Sequence, residues 1–142
     1  MGQQQLLLVI LVTIIVGIAT VVAINTFGSA ADSANLDAAR QDLASIAASA
    51  QGYYMKPDMM GGGGNSYTGM TFRNINFAAE TVNADGDVAT NANGTYTITA
   101  ASDDVLTVTV DPANEANPTL QISNASGADA TDFSTTEVSS GT

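Results

Sequence analysis

Residues 6–24 read LLLVILVTIIVGIATVVAI and contain no charged side chain. At about 1.5 Å of rise per residue, a helix of this length is roughly 29 Å long, which is close to the hydrocarbon thickness of a bilayer. Only a short polar segment, residues 1–5, precedes it. The stretch therefore predicts an N-terminal helix that needs a membrane or other apolar surroundings.

Three interpretations of this helix compete. A secretory signal peptide has a basic start, a shorter apolar segment and a small-residue cleavage site, for which residues 28–30 (Gly-Ser-Ala) qualify. No Lys or Arg precedes Leu6, so the match to a signal peptide is weak. The other two interpretations are a permanent single-pass anchor and a helix that stays in the membrane only until it enters the core of a polymer.

The composition limits the classes of function. The chain has 142 residues, enough for one small domain beyond the helix, and a formal net charge of -11, with every acidic residue at Asp32 or later. This acidic surface disfavours direct nucleic-acid binding and points away from the cytoplasm. Cysteine and histidine are absent, which excludes disulfides, cysteine nucleophiles and histidine-based triads. We expect no catalysis, no cofactor and no dedicated metal centre.

Helical periodicity continues beyond the apolar run. Apolar residues recur at alternating spacings of three and four, which makes one stripe on a helix: Leu36, Ala39, Leu43, Ile46, Ala50 and Tyr53. Pro57 ends the pattern, because the residue before a proline disfavours helical geometry. We predict one helix over about residues 3–54, roughly 80 Å long, with an apolar part (1–27) and an amphipathic part (28–56).

Residues 57–77 follow as a glycine-rich connector that contains four consecutive glycines, 61–64. Such a run favours a flexible connector, and the alternative is backbone packed closely against a neighbour. The large apolar residues after it are expected to cover the helix stripe: Tyr67, Met70, Phe72, Ile75 and Phe77.

The period changes to two in residues 78–142, which predicts a small β domain. Residues 94–100 and 104–110 alternate around a turn at Ser102 and Asp103, and residues 119–123 supply a third strand. The last stretch, 124–142, is rich in Ser, Thr and Ala and predicts a surface loop or tail. The predicted fold class is α+β: a long helix packed on an antiparallel sheet of three or more strands.

These parts together resemble a type IV pilin, chiefly over residues 1–54. The resemblance implies a major pilin, which is a homo-oligomeric structural subunit of an extracellular type IV pilus-like filament. It also implies a plasma-membrane anchor before assembly, contact with the pilus assembly machinery, and processing by a prepilin peptidase. That enzyme removes a short leader, and the new N-terminus is methylated. The nearest alternatives are a type II secretion pseudopilin and a monomeric membrane-anchored module that binds through calcium.

The family usually has a glutamate at the fifth position of the mature chain. If Met1 is the mature first residue, Gln5 occupies that position; in a second frame Gly2 precedes the cleavage and Gln3 begins the chain. Glutamine avoids the cost of a buried charge but cannot form the ion pair. We expect the helix to assemble through an interface made of these residues: Met1, Gln3, Gln4, Gln5, Leu6, Leu7, Val9, Ile10, Thr13, Ile14, Gly17, Thr20, Val21 and Ile24.

Two further patterns are candidate sites. Asn83, Asp85 and Asp87 resemble part of a calcium loop but lack its distal glutamate, so a plain Asp-Gly turn is the favoured interpretation. Asn93 and Asn124 begin Asn-X-Ser/Thr sequences and are possible glycosylation sites.

Overall fold

The computed structural model describes residues 2–114, 117–124 and 131–138. One α-helix and a short 3-10 helix precede six strands that form a single antiparallel sheet in sequence order, β1 to β6. The elements are α1 (Gly2–Met55), the 3-10 helix (Asp58–Met60), β1 (Thr81–Val82), β2 (Val88–Asn91), β3 (Gly94–Ala101), β4 (Leu106–Pro112), β5 (Thr119–Asn124) and β6 (Phe133–Val138). The predicted α+β class is confirmed.

The chain divides into two compact units, Met1–Ala34 and Asn35–Thr142. The N-terminal unit consists of helix alone, and none of its described residues is buried. Its apolar stretch is long enough to cross a membrane. The prediction of a continuous helix over residues 3–54 agrees with α1 to within one residue at either end.

The C-terminal unit has a continuous core between α1 and the sheet. The predicted stripe is confirmed, because Ala39, Leu43, Ile46 and Ala50 are fully buried. Alternate residues of the central strands supply the facing layer, as period-two patterning requires: Tyr96, Leu106, Val108, Val110, Leu120 and Ile122. The helix and the sheet thus each cover the apolar face of the other.

The glycine segment caps the end of α1, which favours the alternative that its backbone packs closely against a neighbour. The backbone amide of Gly63 donates to the carbonyl of Tyr53, in the last turn of the helix, at 2.8 Å, and the amide of Gly64 donates to the carbonyl of Lys56, the residue after the helix, at 2.9 Å. A Cβ on Gly63 would lie 1.8 Å from the carbonyl oxygen of Ser66. Close packing of the backbone therefore leaves no room for a side chain at Gly62 and Gly63, while Gly61 and Gly64 have the positive φ that favours glycine.

The residues after the glycines cover the core, as predicted. Tyr67, Met70, Phe72 and Ile75 are buried in the same cluster as the helix stripe, and Phe77 is partly buried against it. The aromatic rings of Phe77 and Tyr96 meet edge to face with centroids 4.9 Å apart. This irregular stretch forms the remaining wall of the core.

The sequence-based prediction misses three strands. β1 and β2 are only 2 and 4 residues long, too short for a reliable alternation. The prediction of a loop or tail over residues 124–142 is wrong for residues 133–138, which form β6. Four of its six residues are exposed, so this edge strand is held mainly by pairing of its main chain with β5, together with Phe133, which packs against the core.

Candidate functional site

The N-terminal unit carries the most unusual surface of the protein. We call residues 6–27 the apolar helix surface. The exposed fractions range from 51% at Val12 to 76% at Phe27 among its large hydrophobic residues. Soluble proteins seldom leave a contiguous apolar area of this kind in water. The surface therefore requires lipid or another protein.

Hydroxyl groups on this surface are satisfied within the helix. Thr13 and Thr20 donate their Oγ1 hydrogens to the carbonyl oxygens four residues earlier, at 2.7 and 2.8 Å. Thr26 makes the same bond at 2.9 Å. These three side chains consequently present no hydroxyl that would need a partner in an apolar environment.

Thr13, Gly17 and Thr20, which belong to the predicted interface, follow one another at spacings of four and three and so lie on one face of α1. We call them the small-residue stripe. A Cβ on Gly17 would meet nothing within 4 Å. The packing of this chain therefore does not require a glycine at position 17, and the space beside Gly17 is open to a neighbouring helix.

The first turns of α1 contain the predicted glutamines. Gln3, Gln4 and Gln5 are all helical and exposed, and the predicted interface residues from Leu6 to Ile24 share this exposure. Met1 lies outside the described residues.

The candidate calcium loop is a turn that its own residues satisfy. Oδ1 of Asn83 accepts hydrogen bonds from the amides of Gly86 and Val88, at 2.8 and 3.1 Å. Its Nδ2 donates to Oδ1 of Asp87 at 2.6 Å, and Gly86 has the positive φ of 84° that the turn needs. Within the described ranges, no group of three or more His, Cys, Asp or Glu could hold a metal. The geometry favours the Asp-Gly turn.

The amide nitrogens of both candidate glycosylation sites are engaged in the folded domain. Nδ2 of Asn93 donates to Oδ2 of Asp42 at 2.8 Å. Asn124 is only 4% exposed; its Oδ1 accepts from the amide of Leu106 and its Nδ2 donates to the carbonyl of Asp104. A glycan on either nitrogen would have to break these bonds.

Asp42 is a polar anchor that the sequence pattern does not reveal, because it lies off the apolar stripe of α1, where an acidic side chain is expected to face water. Its Oδ2 accepts from Nδ2 of Asn91 at 2.9 Å, from Nδ2 of Asn93 at 2.8 Å and from the hydroxyl of Tyr96 at 2.7 Å. The bonds join α1 to the turn between β2 and β3. The donors lie 49 to 54 residues away in sequence, so no local pattern could have revealed them.

The charge of Asp42 is stabilised by these donors. Partial burial of the carboxylate acts to raise its pKa, but the hydrogen bonds from Asn93, Tyr96 and Asn91 outweigh burial and leave the pKa below its ordinary value. Burial, together with the bond to this carboxylate, raises the pKa of Tyr96 well above its ordinary range. Both shifts favour the neutral phenol donating to the ionised carboxylate.

Two further polar contacts join α1 to the sheet. Nδ2 of Asn35 donates to the carbonyl of Asn93 at 3.0 Å. The guanidinium of Arg40 lies 3.0 Å from Oε1 of Glu137, a residue of β6, in an exposed ion pair. Polar contacts therefore flank the apolar core along the helix.

Comparison of the chain with models of known protein families, with curated proteins and with solved structures found no match. The architecture is nevertheless pilin-like: one long helix, apolar in its N-terminal part and amphipathic afterwards, with the amphipathic part packed on an antiparallel sheet.

Proposed function

We propose that this protein is the major structural subunit of an extracellular type IV pilus-like filament. The observation that carries the proposal is the apolar helix surface, whose large hydrophobic residues are all more than half exposed. The same helix continues into an amphipathic part that belongs to a packed domain. In this proposal the helix holds the subunit in the plasma membrane before assembly and packs with its copies afterwards. The acidic domain forms the exterior.

Water cannot be the working environment of this helix. Fourteen Leu, Val and Ile residues between Leu6 and Ile24 are more than half exposed. At about 1.5 kcal/mol for burying each side chain, their removal from water is worth on the order of 20 kcal/mol. This exceeds the usual stability of a small domain, so lipid or neighbouring helices must cover the surface.

Packing with copies is supported by two properties of the N-terminal unit. Its first charged residue is Asp32, so residues 6–24 can pack together without burying a charge. Gly17 leaves a gap between Thr13 and Thr20, and small residues at such spacing let helices approach closely in apolar surroundings. A single-pass anchor needs the first property, to cross the bilayer, but not the second.

The decisive test is electron microscopy of fibres sheared from the surface of the native host and identified by mass spectrometry. We expect long helical filaments composed of this chain. Surface fractions without such fibres, despite abundant protein in the membrane, would instead favour a pseudopilin. Discrete membrane particles would favour an anchored module.

Gly17→Leu tests the packing role of the small-residue stripe. A Cβ at this position meets nothing within 4 Å in its own chain, so the variant should insert into the membrane normally and fail to form filaments. Ala19→Leu is the matched control, since it enlarges a side chain on another face of the same helix. Equal filament yields from the two variants would refute the role of the stripe.

In our interpretation, Gln3, Gln4 and Gln5 take the place of the glutamate that sets the register between subunits in type IV pilins. Their side chains would hydrogen-bond between neighbouring subunits, because an amide supplies both donors and an acceptor. A filament structure in which Gln3, Gln4 and Gln5 all lack partners would contradict this interpretation.

A further inference from the structure

Three methionines lie within six residues at the end of α1, and all three are exposed. Met55 is the last residue of the helix, and Met59 and Met60 belong to the 3-10 helix. Their exposed fractions are 65%, 100% and 68%. We call them the methionine cluster. Methionine normally fills gaps in cores, so three thioethers in water within one short segment require an explanation.

The fold does not depend on these side chains. Main-chain hydrogen bonds fix the segment: the amide of Met60 donates to the carbonyl of Pro57 at 3.0 Å, and the amide of Gly61 to that of Asp58 at 2.9 Å. None of the three methionines belongs to the core cluster or packs against it. Their sulfur atoms can therefore change chemically while the backbone keeps its hydrogen bonds.

Met70 provides an internal contrast. Its exposed fraction is 3%, and it belongs to the core together with Tyr67 and Phe72. A thioether in that position is shielded from dissolved oxidants, and a polar sulfoxide there would disrupt packing.

We infer that the methionine cluster is an oxidation site, which takes up oxygen from hydroperoxides in water while the domain stays folded. In each reaction a sulfur lone pair attacks one oxygen of hydrogen peroxide. An S–O bond forms and the O–O bond breaks, so hydroxide leaves. The hydroxide then removes the proton from the oxygen that is now bonded to sulfur and becomes water. Sulfur is oxidised to the sulfoxide and the peroxide is reduced, so one chain consumes three peroxide molecules at this cluster.

The class of substrate follows from access and charge. Thioether oxidation is governed by exposure, and a neutral peroxide is not repelled by a chain of net charge -11. Reversal of sulfoxide formation requires a dedicated reductase, which supplies the two electrons that restore each thioether. This inference does not rest on filament formation.

The test is oxidation of the full-length chain in peroxide-free detergent with excess hydrogen peroxide. Peptide mapping by mass spectrometry follows Met55, Met59, Met60 and Met70 separately, and circular dichroism follows the fold. We expect the three cluster sites to be oxidised at least tenfold faster than Met70, with the thermal midpoint unchanged. Oxidation of Met70 at a comparable rate, or loss of the fold when only the cluster is oxidised, would overturn the inference.

A variant in which all three cluster residues are replaced (Met55→Leu, Met59→Leu and Met60→Leu) is the matched control. Leucine keeps the apolar character but cannot accept oxygen. This variant should consume three fewer peroxide molecules per chain in the rapid phase and keep the unfolding midpoint of the wild type. Undiminished rapid consumption would place the reactive sulfur elsewhere and refute the assignment.

Discussion

The two units of this chain are stabilised in opposite ways. In Met1–Ala34 no described residue is buried, and the side-chain hydrogen bonds at Thr13, Thr20, Thr26 and Ser33 run to carbonyls four residues earlier. In Asn35–Thr142 the core joins residues from α1, the irregular segment and four strands. The first unit obtains its helix from local bonds and must obtain burial from outside the chain. The second unit supplies its own burial.

Removing the first unit should produce the largest change. A fragment of residues 35–142 is expected to be a soluble monomer that unfolds cooperatively, whereas the full chain needs detergent or forms polymers, because all core residues lie in the fragment. Sedimentation and thermal unfolding followed by circular dichroism measure both properties. A fragment that aggregates or lacks a melting transition would show that the units are not independent.

Leu43→Ala should lower the stability of the second unit by about 2–5 kcal/mol, since it empties part of a fully buried position. Leu11→Ala is its counterpart in the first unit, where the side chain is 55% exposed, and should leave this value unchanged. Urea unfolding of the sheet domain in detergent compares them. An equal loss of stability in both variants would contradict the conclusion that only the second unit supplies its own burial.

Gly63→Ala should destabilise the second unit by about 1–3 kcal/mol, because its Cβ would collide with the carbonyl of Ser66 and lie 2.8 Å from the ring of Tyr53. Gly52→Ala is the control: its Cβ meets nothing within 4 Å and it lies inside α1, so it should stabilise by about 0.5–1 kcal/mol. Chemical unfolding of the two variants gives the comparison. A neutral Gly63→Ala would contradict the close-packed cap.

Asp42→Asn should cost about 1 kcal/mol at pH 7, because it weakens three hydrogen bonds to a partly exposed carboxylate. The pKa of Asp42 is lower in the folded than in the unfolded chain, so its contribution is present above the ordinary pKa of 3.8. It is lost as the pH falls through the lowered pKa of the folded state.

Unfolding at a series of pH values measures this effect. The wild type should lose its advantage over Asp42→Asn in strong acid, while Asp85→Asn, at an exposed turn position, should follow the wild type throughout. A difference between wild type and Asp42→Asn that does not change between pH 7 and strong acid would contradict the anchor role of the charge.

The sequence predicts the elements whose pattern is long and regular. Residues 6–24 and the stripe from Leu36 to Tyr53 specify α1, and the alternation around Ile98 and Val108 specifies β3 and β4. β6 could not be predicted in this way, because an edge strand with mostly exposed side chains has no alternation to detect. The close packing at Gly63 could not be predicted from the sequence, because a glycine run is compatible with both flexibility and close packing.

The candidate functional residues also divide into those that the sequence predicts and those that it does not. The need of the apolar helix surface for apolar surroundings follows directly from composition, since a helix that is apolar on all sides is typical of a buried helix or a membrane span. The Asp42 anchor depends instead on donors brought together by the fold. Nothing in the local pattern distinguishes Asp42 from Asp37, whose carboxylate meets only the exposed Arg40 nearby.

The order of the sheet has a consequence for the speed of folding. Each strand pairs with its immediate successor, so five strand pairings form between neighbours in sequence. Contacts from α1 span far greater separations, 58 residues for Asn35 with Asn93 and 97 for Arg40 with Glu137. Because closure of long loops slows folding, we expect hairpin formation to be the rapid step and attachment of the helix to be the slow one. On this expectation, the rate at which the domain becomes native depends on how soon α1 finds a sheet that has already formed.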